Sequence, residues 1–115
     1  MPGLEADLEK FIEEYVNSFI KWDLITYFYN NVGVFDAAHA LAIHLGRKES
    51  DITKALGELA EKKLIMKVER DGEDVYHYSP PIEISGMASS FIEALEIREK
   101  RLLILTKMLR IGVRE

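Results

Sequence analysis

The chain has 115 residues, 48% of them hydrophobic and 30% charged, which suits one soluble domain around a single core and excludes a disordered chain. It has no cysteine, so disulfides, thiolate metal sites and thiol nucleophiles are excluded together. The net charge of −5 is uneven: residues 1–46 carry two bases against seven acids, residues 47–79 seven against eight, and residues 87–115 six against four.

The start, Met1-Pro2-Gly3-Leu4-Glu5-Ala6-Asp7, has neither the basic stretch nor the apolar core of a secretory leader. No apolar run approaches the roughly 20 residues that span a bilayer. The expectation is a cytoplasmic protein with no membrane partner. Residues 4–18 predict a first helix. Leu4, Leu8, Phe11, Ile12, Tyr15, Val16, Phe19 and Ile20 recur at spacings of three and four, opposite an acidic face of Glu5, Asp7, Glu9, Glu13 and Glu14. Asn17-Ser18 marks a bend or break. A second periodic run through Trp22, Leu24, Ile25, Phe28 and Tyr29 stops at Asn30-Asn31-Val32-Gly33.

Val34-Phe35 reads as a short extended link, and Asp36 stands where an N-cap belongs, ahead of a helix through Leu41 and Leu45. Gly46 ends that helix. A third runs over about residues 48–63, with Ile52, Ala55, Leu56 and Leu59 inward. Leu64, Ile65, Met66 and Val68 form one extended run and Val75, Tyr76, His77 and Tyr78 another, with Asp71-Gly72 between them as a hairpin signal. Pro80-Pro81 closes the unit, and residues 85–111 predict one long last helix.

The run Leu45-Gly46-Arg47-Lys48-Glu49-Ser50-Asp51-Ile52-Thr53-Lys54-Ala55-Leu56, followed by Leu59 and Leu64-Ile65, resembles the helix-turn-recognition-helix of MarR-like and ArsR-like bacterial regulators. In those proteins a leucine and glycine close the second helix, a Val or Ile with an Ala-Leu pair anchors the recognition helix, and a Leu-Ile pair opens the wing. The resemblance covers residues 19–80, a little over half of the chain. It implies a mainly α (α+β) fold, a winged helix-turn-helix with a two-stranded wing over residues 66–78. It also implies recognition of double-stranded DNA, with the third helix in the major groove and the wing over phosphates. Carried over position by position, the DNA-binding residues are Arg47, Lys48, Ser50, Thr53, Lys54, Lys67 and Arg70, with Glu49 and Gly57 also on the groove side. The lysines suit guanine or phosphate oxygens, and Ser50 and Thr53 base edges or phosphates.

Residues 4–20 and 87–111 lie outside that minimal unit and are apolar on one face. They predict dimerisation helices, with Leu8, Phe11, Ile12, Tyr15, Phe91, Leu95, Leu102, Leu105 and Leu109 at the interface of a homodimer. Arg98, Lys100, Arg101, Lys107, Arg110 and Arg114 would form the rim. The other course is that both helices fold back on their own domain.

His39, His44 and His77 lack metal-ligand spacing, and the aromatic cluster at Tyr15, Phe19, Trp22, Tyr27, Phe28 and Tyr29 is read as core or dimer interface. Glu13-Glu14 and the Glu93, Glu96 pair sit on solvated helix faces with nothing nearby to position a substrate. No catalytic set and no cofactor motif are present, so an enzyme is not expected. The expected function is that of a DNA-binding transcriptional regulator acting as a homodimer. The alternative is a winged-helix module that binds a protein partner without DNA, because the wing tip sets Glu69, Asp71, Glu73 and Asp74 around one arginine and the recognition face is close to neutral.

Overall fold

The computed structural model describes residues 4–113; Met1, Pro2, Gly3, Arg114 and Glu115 lie outside the described residues, and with them the start of the chain and one expected rim arginine. Six helices and three strands follow in the order α1 (Ala6–Tyr15), α2 (Phe19–Asn30), β1 (Asp36–Ala37), α3 (Ala38–Leu45), α4 (Glu49–Glu61), β2 (Ile65–Arg70), β3 (Glu73–Tyr78), α5 (Ile82–Leu95) and α6 (Arg98–Arg110). The class is α+β, mainly helical with a small antiparallel sheet. None of the described helices is long and apolar enough to cross a membrane.

The break between α1 and α2 has a local cause. Ser18 is the N-cap of α2 and its hydroxyl accepts the Lys21 backbone N–H at 3.1 Å, while the Asn17 amide donates to the Glu13 carbonyl at 2.9 Å. Both side chains satisfy backbone groups left open where one helix stops and the next begins. Asp36 departs from its expected role. It lies in β1 opposite Tyr76, and Ala37 takes the N-cap position of α3 without a side-chain bond. The Asp36 carboxylate instead accepts the Tyr27 hydroxyl at 2.6 Å, a charge-assisted bond that outweighs a cap.

Gly46 ends α3 at φ 67°, a left-handed conformation that lets the Arg47 N–H return to the Ala42 carbonyl at 2.9 Å. Three residues later α4 begins, burying Ile52, Ala55, Leu56 and Leu59. The chain leaves α4 through Lys63 at φ 66° and enters β2. Asp71 (φ 53°) and Gly72 (φ 78°) are both left-handed, as a two-residue I′ turn requires, and they join β2 and β3 into a two-stranded arm with the register Ile65↔Tyr78 through Arg70↔Glu73. The sheet order is β1-β3-β2, so β2 is an outer strand.

The expected single helix over residues 85–111 is two helices. Ile97 is extended (φ −104°, ψ 117°) between α5 and α6, and the Arg101 guanidinium donates to the exposed Leu95 carbonyl at 2.7 Å. The break reconciles an apolar run that no straight helix could bury on one side: after it, Ile104 and Met108 turn inward while Leu102, Leu105 and Leu109 stay exposed. Helix α5 also begins three residues earlier than expected, directly after Pro81.

A single core cluster takes in both terminal segments. Phe11 packs on Phe91 (5.8 Å between centroids) and Trp22 meets Phe91 edge-on (6.0 Å). Lys107 of α6 pairs with Glu13 of α1, and the Tyr29 hydroxyl donates to Ser89 Oγ at 3.2 Å. The expected dimer surface is therefore corrected: Leu8, Phe11, Ile12 and Phe91 are buried in the chain's own core, and Tyr15 and Leu95 are half-buried against it. An amphipathic face requires burial but does not name the surface that provides it.

Candidate nucleic-acid interface

Helices α3 and α4 are joined by Gly46, Arg47 and Lys48, with Lys48 exposed at the N-cap of α4. Inward packing of Ile52, Ala55, Leu56 and Leu59 turns Ser50, Thr53, Lys54 and Gly57 outward, and all four are exposed. Their spacing of three, four and seven residues keeps them on one side of the helix. Among the described residues these side chains and that of Lys48 have no intramolecular hydrogen bond or ion pair. They form a polar, uncommitted surface with Glu49 at its start.

The remaining sequence-predicted contacts are placed differently. Arg47 points back to the body: its Nε and Nη2 donate to Asp23 Oδ2 at 3.0 and 2.8 Å, fastening the turn to α2. Arg70, at the end of β2, lies with its guanidinium carbon 3.7 Å from the Phe35 ring centroid. The Phe35 ring in turn lies 4.3 Å from that of His77, so the base of the arm is a layered stack. Lys67 is exposed on β2 and among the described residues has no ion-pair partner. The predicted residues thus divide, with Lys48, Ser50, Thr53 and Lys54 together on α4 and Arg47 and Arg70 engaged elsewhere.

Several residues that shape this surface carried no sequence signal. Lys21, counted among the bases of an acidic front, is only 8% exposed, and its ammonium reaches Asn17 Oδ1 at 2.9 Å and Glu58 Oε1 at 2.6 Å. It locks α2 to α4 and neutralises one of the carboxylates near the α4 surface. His39 Nε2 lies 2.6 Å from Glu73 Oε1, linking the start of α3 to the arm. His44 sits 5.0 Å from the Tyr27 ring. The sequence matches no protein-family model and no curated protein. Functional assignment therefore rests on the chemistry of these surfaces.

Two tyrosines are held neutral in this region. The Tyr27 hydroxyl is pushed up to about 12 by its bond to Asp36, then by burial and the Asp36 charge. Tyr78 is also pushed up to about 12, by burial and the neighbouring Tyr29, and its buried hydroxyl has no hydrogen-bond partner among the described residues. The Tyr27 bond ties α2 to β1, and the Tyr78 ring meets the Tyr29 ring of α2 edge-on at 6.1 Å between centroids.

Proposed function

We propose that the protein is a DNA-binding transcriptional regulator of the winged helix-turn-helix type, acting in the cytoplasm as a homodimer and reading duplex DNA with α4. The observation that carries this reading is the outward side of α4, where Ser50, Thr53 and Lys54 are exposed and uncommitted just beyond a glycine-closed turn. The succession α2, β1, α3, α4, β2, β3 agrees with the family resembled. In the major groove Lys48 and Lys54 would donate to phosphate or guanine oxygens, and Ser50 and Thr53 to base edges or phosphates. Arg47 and Arg70 act as structural residues in this reading. With few free bases, each copy contributes modest, salt-sensitive contacts, and a dimer adds two of them.

Selection from a pool of random duplexes at low salt tests the proposal. Enrichment of a common sequence, lost in the variant Lys54→Glu, is the expected result. No enrichment by a folded protein contradicts it.

A second reading, a module that binds a protein through the same α4 surface, is favoured by one observation: Glu69, Asp71, Glu73 and Asp74 are all exposed on the arm. Carboxylates there repel phosphates. A purified partner that competes at Lys54 and Thr53, with no duplex selected, would support this reading over the first.

A further inference from the structure

The outer strand β2 has a free edge, and its charges are arranged in a way that its own sheet leaves unsatisfied. The Ser79 N–H donates to the Leu64 carbonyl at 3.1 Å, so Leu64 and Ser79 form a hydrogen-bonded pair one step beyond the Ile65↔Tyr78 register. Alternation along an antiparallel ladder then directs the backbone groups of Met66, Val68 and Arg70 towards β3. Those of Ile65, Lys67 and Glu69 point out of the sheet. No proline interrupts this six-residue edge. Within the sheet Glu69 stands directly opposite Asp74, an unfavourable like-charge pair, and Lys67 stands opposite Tyr76.

We propose that the edge of β2 pairs with the same edge of a second copy, antiparallel about a two-fold axis at Val68, to make one continuous six-stranded sheet. The register follows from two constraints. A two-fold perpendicular to the sheet keeps each face continuous and requires outward-directed residues to meet one another. Of the registers that satisfy this, centring on Lys67 opposes two lysines and centring on Glu69 opposes two glutamates. Centring on Val68 sets Lys67 against Glu69 of the partner subunit, twice, with backbone hydrogen bonds exchanged within each pair. Glu69 thereby gains the cation that offsets Asp74.

The surface beside the edge is mixed: an open pocket of ≈ 490 Å³ adjoins it, with Ala60, Ile65, Met66 and Pro81 lining it together with Lys63, Lys67 and Ser79, and Ile82 is 92% exposed. The other apolar surface, Leu102, Leu105 and Leu109 on α6 with Ile97 and Ile111 flanking them, lies on a helix and offers no backbone edge. Edge pairing draws on backbone hydrogen bonds as well as area. The inference concerns how the proposed dimer is joined and does not depend on DNA binding.

Charge exchange at exposed positions tests it without disturbing the core. Sedimentation equilibrium at low salt would compare the wild-type chain with K67E, E69K and the double variant K67E/E69K, each verified as folded by circular dichroism. The expected result is self-association of the wild type, weakened at least about tenfold in either single variant and restored in the double variant. A wild type that stays monomeric throughout overturns the proposal. So do single variants that associate like wild type, or a double variant no better than the singles. Retained association in E69K together with its loss in Leu109→Asp would place the interface on α6 instead. Duplex selection is read separately, so loss of DNA binding in an intact dimer counts only against the functional reading.

Discussion

Tyr78 and Tyr27 make the stability of the molecule sensitive to alkali. Each has a pKa near 12 in the fold, against 10.0 for an ordinary tyrosine, so the folded state favours the neutral hydroxyl. The linked stability is fully present below pH 10 and is lost as the pH rises through about 12. Tyrosinate absorbance followed with circular dichroism should show the Tyr27 and Tyr78 hydroxyls ionising last, after those of Tyr15 and Tyr76, which burial also raises, with unfolding in that window. Replacing Tyr78 by Phe removes a buried hydroxyl that has no hydrogen-bond partner among the described residues, so it should be neutral or stabilising at neutral pH. It should also reduce the alkaline loss. Lys63 offers an independent check, because its φ of 66° strains a residue with a Cβ. Lys63→Gly relieves that strain at some entropic cost and should raise stability by about 0.5 kcal/mol in a denaturant titration. A loss of stability would show that the position carries no strain.

At the scale of elements, the terminal helices behave as core rather than appendages. Phe91 lies against Phe11 and Trp22, so it joins α5 to both α1 and α2. Phe91→Ala should therefore cost about 3–5 kcal/mol and lower the cooperativity of the whole chain, measured by chemical denaturation. A loss confined to α1 and α5, with the remainder unfolding as before, would show two separate units. The sequence made some of this legible. The Asn17-Ser18 break, the Gly46 stop, the inward face of α4 and the Asp71-Gly72 turn are local chemistry, and each stands where the residues put it. What it left illegible is tertiary. Asp36 has the composition of a cap, but a tyrosine from α2 claims its carboxylate. The break at Ile97 follows from where Ile104 and Met108 must be buried, which periodicity cannot specify. The same limit applied to the candidate site: Ser50, Thr53 and Lys54 followed from the inward face of α4, whereas Arg47 differs from Lys48 only through Asp23, twenty-four residues earlier.

At the scale of the molecule, charge and surface argue for a division of labour. The net −5 opposes non-specific attraction to a polyanion, so the proposed duplex binding would depend on a local cationic surface at Lys48 and Lys54. In the proposed pairing Glu69 meets Lys67 of the partner subunit, whereas against phosphate it would meet only like charge. Duplex reading by α4 is checked by the affinity for a selected duplex, measured by fluorescence anisotropy across a salt series for wild type, Lys54→Glu and Arg47→Ala. The expected result is salt-dependent binding by the wild type and at least about a tenfold loss with a shallower salt slope in Lys54→Glu. Arg47→Ala should bind with nearly unchanged affinity. Salt-independent or absent binding by the wild type, or a Lys54→Glu variant that binds as well as wild type, would contradict duplex reading by α4.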